Sequence, residues 1–455
     1  MKKIVKFFVA VLAVVLVSVA TSCGKKAGPL TIWVGTESVK FYQEKADAWL
    51  AETGNTFKIE VKGTDTGGAA ATYLADTAAG ADIFTVAHDN LGKLLAGSGT
   101  IAAVTDQTLV NQMETQNSDA FLDVCYLAPG DGGSQQYYAV PYIAQALVYY
   151  YDTRLVSAEQ VTSFESLLEV AKAKNKTAFA VTGTDAYNFS LFLLAQPYNE
   201  AAKAAFPKST LALYEGGVQT NCNGTGDDIV ACMKYAQRLI ADKNGRNGTV
   251  VSSDGYVSEI TNGTTLGFIS GAWKYTEAVA AWGEENVGIA ELPTFTLTAA
   301  DEYGKAKAGM TFKAGTFADC KVFVKKKASP YAKHLDSLLA FLTSDAVQFE
   351  SYEKCQNLPA SSTVTGVDNP LAAAQIAMFK YGIAQPFGFK AKYNQYYYSS
   401  GTDARFVALI QNKDGSFDDA KILKELQTIT YVWVKGKDPE NDAALSEFVK
   451  GIYVK

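Results

Sequence analysis

The chain has 455 residues, too many for one hydrophobic core, so more than one domain is expected. Apolar residues make up 48% and charged residues 19% of it, a composition that excludes disorder for most of the chain. With 47 acidic against 41 basic side chains and no basic cluster in its body, the chain is not expected to bind nucleic acid or to adhere electrostatically to an anionic membrane.

The first 22 residues have the pattern of a secretory signal peptide, with lysines followed by an apolar stretch over residues 7–20. That stretch is shorter than the roughly 20 residues that a transmembrane helix needs. The segment before Cys23 resembles a bacterial lipobox, which implies removal of residues 1–22, lipidation of Cys23 and a tether over residues 23–29. An ordinary secretory signal that is cut nearby is the alternative.

Cysteine usage leaves two interpretations open. Outside the cytoplasm Cys222 could pair with Cys232, and Cys320 with Cys355, which would leave Cys125 alone. The alternative is that all five are reduced and buried. The chain has no Cys-x-x-Cys and two histidines, so neither a metal site nor a cofactor is expected.

The first half of the chain alternates between strand and helix patterns. Residues 30–34 form a β-rich run, 39–50 have helical spacing, 57–61 alternate, 69–79 are helical and 82–86 form another strand. This alternation predicts an α/β fold with a mostly parallel sheet. Polar residues that follow these strands should face one crevice at their carboxyl ends.

A second α/β unit follows a long extended stretch over residues 139–150. Thr162 and Glu165 form a capping box that opens a helix ending near residue 174. A strand at 178–181, helices starting near 188 and 228, a strand at 266–269 and a largely helical final third complete the chain.

The order of five stretches resembles the family-one extracellular solute-binding proteins, the maltose/maltodextrin-binding type. The stretches are 30–33, 81–92, 139–155 followed by Thr162, 260–273 and 287–293. The resemblance implies the periplasmic-binding-protein fold, with two discontinuous α/β lobes that are joined by three chain crossings and close on a ligand by a hinge motion. The implied lobes are residues 30–143 with 298–352, and 147–294 with 356–455.

The same resemblance implies a set of ligand-binding residues. A sugar site needs planar polar groups for hydroxyls and aromatic rings for the sugar faces. The corresponding positions here are Glu37, Ser38, Asp89, Asn90, Gln145, Asp185, Tyr187, Trp273, Tyr396 and Tyr398. Val86, Asn90 and Gln145 depart from the maltose type, so a sugar or polyol other than maltodextrin is expected.

Some of these residues have structural alternatives. Asp89 could cap a helix that begins at Asn90. The aromatic run at 393–398 could be a packed surface between the lobes. The glycines over residues 63–68 lack the Lys-Ser/Thr ending of a phosphate loop, so a plain turn is the better interpretation.

The function that the resemblance implies is capture of a solute for the permease subunits of an ABC importer, by a monomer anchored through lipid on the outer face of a bacterial membrane. Two rival functions remain. A secreted glycoside hydrolase is disfavoured because the chain has neither a G-x-S-x-G nor an H-E-x-x-H motif. The second rival function is that of a surface adhesin or structural lipoprotein with the same fold.

Overall fold

The structure is a computed structural model of the chain. It describes residues 28–130, 132–182, 187–188, 190–199, 204–205, 227–241, 249–251, 256–304, 306–383, 418–435 and 438–453. The predicted signal peptide and Cys23 lie outside the described residues.

The strands run in chain order from the first described residues to the last third of the chain. They are β1 Leu30–Gly35, β2 Ile59–Thr64, β3 Ile83–Ala87, β4 Ile101–Ala102, β5 Tyr126–Leu127, β6 Gln136–Tyr137, β7 Val140–Gln145, β8 Val148–Asp152, β9 Phe179–Val181, β10 Gln196–Asn199, β11 Ala204–Ala205, β12 Thr249–Val251, β13 Gly267–Ser270, β14 Val287–Ala290, β15 Thr294–Thr296, β16 Thr311–Lys313, β17 Thr316–Phe317, β18 Asp319–Lys326 and β19 Gly382–Ile383.

The helices pack on both faces of the sheets. They are α1 Val39–Thr53, α2 Ala69–Ala75, α3 Leu91–Leu94, α4 Gln107–Gln116, α5 Asp119–Asp123, α6 Phe164–Lys174, α7 Ser190–Leu193, α8 Asp227–Ala241, α9 Tyr256–Thr261, α10 Tyr275–Trp282, α11 Ala332–Leu342, α12 Asp345–Cys355, α13 Pro370–Phe379, α14 Asp419–Lys435 and α15 Asp442–Tyr453. Short 3₁₀ turns cover Thr36–Ser38, His88–Asn90, Ala272–Lys274 and Glu284–Asn286.

The first lobe is built on a sheet with the order β2-β1-β3-β18-β4, and β7 also pairs with β18. Strands β1, β2 and β3 are parallel, whereas β18 is antiparallel to its neighbours. Alternate residues of β1 are buried beneath α1 and α11. The antiparallel direction of β18 puts its first residues beside the carboxyl end of β3, so these residues lie at the same edge of the sheet as the turns that follow the parallel strands.

The second lobe is built on the sheet β12-β9-β13-β8-β14, in which β9, β12 and β13 are parallel. A smaller antiparallel sheet, β11-β10-β16-β15, packs into the same hydrophobic core. Helix α6 begins one residue later than the predicted capping box, because Ser163 is its N-cap and accepts a bond from the N–H of Ser166 at 3.2 Å. Glu165 instead accepts bonds from Thr296 and Tyr235.

The chain crosses between the lobes at 145–148, at 317–319 and between Ser362 and Pro370. The predicted return to the first lobe at residue 298 is too early, because residues such as Phe312 and Phe317 are buried in the second lobe's core. The predicted second return at 356 is also too early. Ser362 still donates its N–H to the carbonyl of Gln116 in the first lobe at 2.7 Å, and after it the chain packs on β8 and β14 of the second lobe through α13.

The candidate disulfide between Cys320 and Cys355 is not formed, because both side chains are free thiols. Cys320 lies on the buried face of β18 in hydrogen-bonding contact with Cys125, and burial raises the pKa of the Cys320 thiol well above its ordinary range. Cys222 lies outside the described residues, so its pairing with Cys232 stays a prediction. Among the residues described, no helix is both long and apolar enough to cross a membrane.

Candidate functional site

A cavity of about 690 Å³ lies between the two lobes. The first lobe supplies the turns that follow β1, β2 and β3, together with the end of β7 and the start of β18. The second lobe supplies Tyr187, Asn188 and Trp273. The carboxyl ends of the parallel strands therefore meet at one cleft, as expected for an open α/β sheet.

Carboxylates from four separate segments line the first-lobe wall of this cavity. They are Glu37 after β1, Asp65 after β2, Asp89 after β3 and Asp319 at the start of β18. Glu37 folds back over Gly35 so closely that a Cβ there would overlap its carboxylate. Asp65 accepts bonds from the N–H groups of Gly67 and Gly68 at 3.1 and 3.0 Å, so this glycine segment is a turn with a fixed carboxylate.

A short chain of hydrogen bonds orients Asp89. The side chain of Asn90 donates to the Asp89 carboxylate at 3.0 Å and accepts from Lys93 Nζ at 2.9 Å. Asp89 makes no capping bond to the following helix, which removes the capping alternative. Burial raises the pKa of Asp89 to about 6, with His88 and Lys93 opposing that rise and Asp319 adding to it.

Two polar side chains on the strands that cross between the lobes have unused hydrogen-bonding capacity. Gln145 and Lys321 line the cavity and are only 5% and 8% exposed. Neither side chain has a hydrogen bond or ion pair with any residue that the structure describes. Such groups are costly to bury and are expected to gain partners from a bound molecule.

The second lobe presents aromatic rings to the cavity. The Trp273 ring is partly exposed, and its centroid lies 6.0 Å from that of Tyr187 at an interplanar angle of 47°. Tyr187 in turn stacks on Phe317 at 5.8 Å. A Cβ at Gly271 would overlap the Trp273 ring, so this glycine is what allows the ring to fold back onto the backbone before it.

The structure brings together Glu37, Asp89, Asn90, Gln145, Tyr187 and Trp273 around one cavity. Ser38 does not line it. That side chain is 2% exposed and accepts a bond from Asn357 at 3.3 Å. Asp185, Tyr396 and Tyr398 lie outside the described residues, and their role in binding stays a prediction.

Sequence reasoning missed Asp65, Lys93, Asp319 and Lys321, which also line the cavity. One signal for Asp319 and Lys321 was available: they occupy alternate positions at the start of a strand whose central residues are apolar, and so share one face of it. Within the described ranges, no cluster of three or more His, Cys, Asp or Glu residues could hold a metal ion.

Two α/β lobes that enclose a cavity with polar groups on one wall and aromatic rings on the other define a class: a two-lobe binding protein for a small polar solute. The chain belongs to the bacterial extracellular solute-binding protein family, whose model matches residues 44–379. This family consists of binding proteins rather than enzymes. No curated protein sequence matches the chain.

Several solved structures share the fold at low sequence identity. The unliganded maltodextrin-binding protein MalE1 from L. casei BL23 has a TM-score of 0.67 and 19% identity, over 90% of this chain and 99% of that one. The GacH receptor of Streptomyces glaucescens, solved unliganded and with acarbose, has a TM-score of 0.65 and 15% identity, over 90% of this chain and 99% of that one. The extracellular solute-binding protein from Staphylococcus aureus in complex with maltose has a TM-score of 0.59 and 16% identity, over 94% of this chain and 99% of that one.

Proposed function

We propose that the protein captures a carbohydrate outside the cytoplasm and delivers it to the permease subunits of an ABC importer. The observation that carries this proposal is the composition of the cavity, with carboxylates and amides on one wall and Trp273 and Tyr187 on the other. Carboxylates and amides bind sugar hydroxyls, and aromatic rings pack on the apolar faces of sugar rings. The sugar complexes of proteins with the same fold support the proposal.

The proposed ligand contacts are Glu37, Asp89, Asn90 and Gln145 from the first lobe and Tyr187 and Trp273 from the second. Because the two walls belong to different lobes, a ligand that contacts both favours the closed arrangement over an open one. Closure would occur by a hinge motion at the three crossings.

The proposal includes lipid anchoring through Cys23 and action as a monomer. Its support for the anchor is the signal-like pattern of residues 1–22 and the lipobox-like residues before Cys23. Cys23→Ser should release the protein from the membrane fraction of expressing bacteria. A matched Cys355→Ser variant should stay with the membrane, and equal fractionation of the two would contradict the anchor.

A melting-temperature screen against neutral sugars tests the binding function. A ligand that binds only the folded state raises the melting temperature by an amount that grows with the ratio of its concentration to its Kd. The sugar that gives the largest shift is then added during small-angle scattering, where closure should reduce the radius of gyration. Enzymatic breakdown of that sugar, or the absence of any shift across the panel, would contradict the proposal.

A further inference from the structure

Lys321 is a buried ammonium group without a hydrogen bond or ion pair to any residue that the structure describes. Its side chain lines the cavity and is 8% exposed. The other lysines of β18 differ. Lys325 is ion-paired with Asp336, and Lys326 donates to the carbonyl oxygens of Ala78 and Gly80 at 2.7 and 3.1 Å.

An unpaired charge at this depth lowers the stability of the empty protein. Burial lowers the pKa of Lys321, while the carboxylates of Glu37 and Asp65 act in the opposite direction. Neither carboxylate forms an ion pair with Lys321, so within the described part of the chain the hydrogen atoms of the ammonium group have no acceptor. A group with this cost and no bond to the described residues is expected to gain its partner from a bound molecule.

We propose that Lys321 anchors the ligand from the first lobe and that this ligand is a neutral polyhydroxylated molecule. This inference rests on the proposed carbohydrate-binding function and names the residue and the ligand charge that go with it. An ammonium group has three hydrogen atoms to donate and no acceptor, whereas a carboxylate only accepts. Lys321 beside Glu37 and Asp65 therefore matches neighbouring hydroxyl groups, one of which accepts a hydrogen bond while the next donates one.

The charges around the cavity disfavour an anionic ligand. The carboxylates of Glu37, Asp65, Asp89 and Asp319 face two lysines, Lys93 and Lys321. Lys93 donates to the Asn90 amide and keeps its charge, so the two lysines can offset only two of the four carboxylates. An acidic sugar would bring one more negative charge into a low-dielectric space that is already negative, and such repulsion weakens binding.

The test compares Lys321→Met with Lys325→Met, a matched change on the same strand outside the cavity. The probes are glucose, galactose, mannose, xylose and their di- and trisaccharides, with glucuronate and galacturonate as acidic comparators, and binding is measured by titration calorimetry. Lys321→Met should reduce affinity for the best neutral sugar by about tenfold or more, because a charge-assisted hydrogen bond is lost. Without ligand its melting temperature should equal or exceed that of the wild type.

Lys325→Met should show the reverse pattern, a lower melting temperature with unchanged affinity, since it removes the ion-pair partner of the half-buried Asp336 carboxylate. Should Lys321→Met fail to fold, Lys321→Gln carries the same test. Equal sugar affinity of wild type and Lys321 variant would overturn the role of Lys321. Tighter binding of an acidic sugar than of every neutral sugar would overturn the inference that the ligand is neutral. Absence of binding by the wild type to every probe would overturn the proposed function, and this inference with it.

Discussion

Asp319 and Gln145 lie directly opposite each other on the antiparallel strands β18 and β7, and both side chains line the cavity between the lobes. These two strands also carry the chain from one lobe to the other. The floor of the cleft and the proposed hinge thus share these residues. If closure occurs by the proposed hinge motion, a ligand that bonds to Gln145 contacts the hinge directly, and no separate relay is needed to couple binding to closure.

The first crossing depends on a buried hydroxyl. Thr316 Oγ1 accepts the N–H of Leu147 at 3.0 Å and donates to the carbonyl of Phe317 at 3.0 Å. Thr316→Val keeps the shape but leaves the Leu147 N–H without an acceptor, so urea denaturation should show a loss of about 1–3 kcal/mol in unfolding free energy. The exposed Thr115→Val is the control and should change it by less than about 0.5 kcal/mol. Equal effects would contradict the role of Thr316.

The aromatic wall should dominate affinity for a sugar ring. Trp273→Ala removes the partly exposed ring beside Tyr187, and calorimetry should show a loss of about 1–3 kcal/mol in binding free energy. The fold should be retained, because the ring packs against the second lobe's core only from outside. An unchanged affinity for the best sugar would place the ligand elsewhere.

Gly271 should act through the same ring. A methyl group at this position would overlap Trp273, so Gly271→Ala is expected to displace the ring and weaken binding without touching the ligand. The double variant Gly271→Ala/Trp273→Ala should bind no more weakly than Trp273→Ala alone, since both changes remove one interaction. Gly28→Ala, where a Cβ meets open space, is the control. Additive losses would show that Gly271 acts by another route.

The absence of a bond between Cys320 and Cys355 has a measurable consequence. A disulfide typically stabilises a domain by about 2–4 kcal/mol, and a variant that lacks it loses that amount. Cys355→Ser should lose much less, because Cys355 is a free and partly exposed thiol. The free energies of unfolding of wild type and variant are compared in oxidising buffer. A loss of unfolding free energy as large as that expected for a disulfide would contradict the conclusion that Cys320 and Cys355 are free thiols.

Local patterns were sufficient to predict the parts of the site that follow a strand. Glu37 comes after β1 and Asp89 after β3, and the carboxyl ends of parallel strands meet at one edge of a sheet whatever the rest of the chain does. Trp273 follows β13 in the same way in the second lobe. Ser38 shows the limit of this reasoning, because successive side chains in a 3₁₀ turn point apart and Ser38 faces Asn357.

Long-range topology accounts for what sequence reasoning missed. Asp319 and Lys321 reach the cavity only because β18 enters the first sheet antiparallel between β3 and β4. No local pattern states which strands a late segment will join, or in which direction. The position of the second crossing was wrong for the same reason, since the apolar residues of β16 and β17 could equally have filled either core.

Asp89 should make binding depend on pH. Burial raises its folded-state pKa from an ordinary 3.8 to about 6, and His88, Asp319 and Lys93 are the titratable groups that act on it. The folded protein therefore binds more protons than the unfolded chain between these values, so the Asp89 contribution to stability falls as pH rises through this window and stays low above it.

Ligand binding should follow the opposite course, because only the ionised carboxylate accepts two hydroxyl bonds. Wild-type affinity for a neutral sugar should decline as pH falls below about 6, where Asp89 takes up its proton. Asp89→Asn should bind more weakly at pH 7 but with a flatter pH profile, and its ligand-free melting temperature at pH 7 should exceed that of the wild type. Calorimetry and melting curves from pH 4.5 to 8 measure both. An identical pH profile in wild type and variant would show that another group controls the pH dependence.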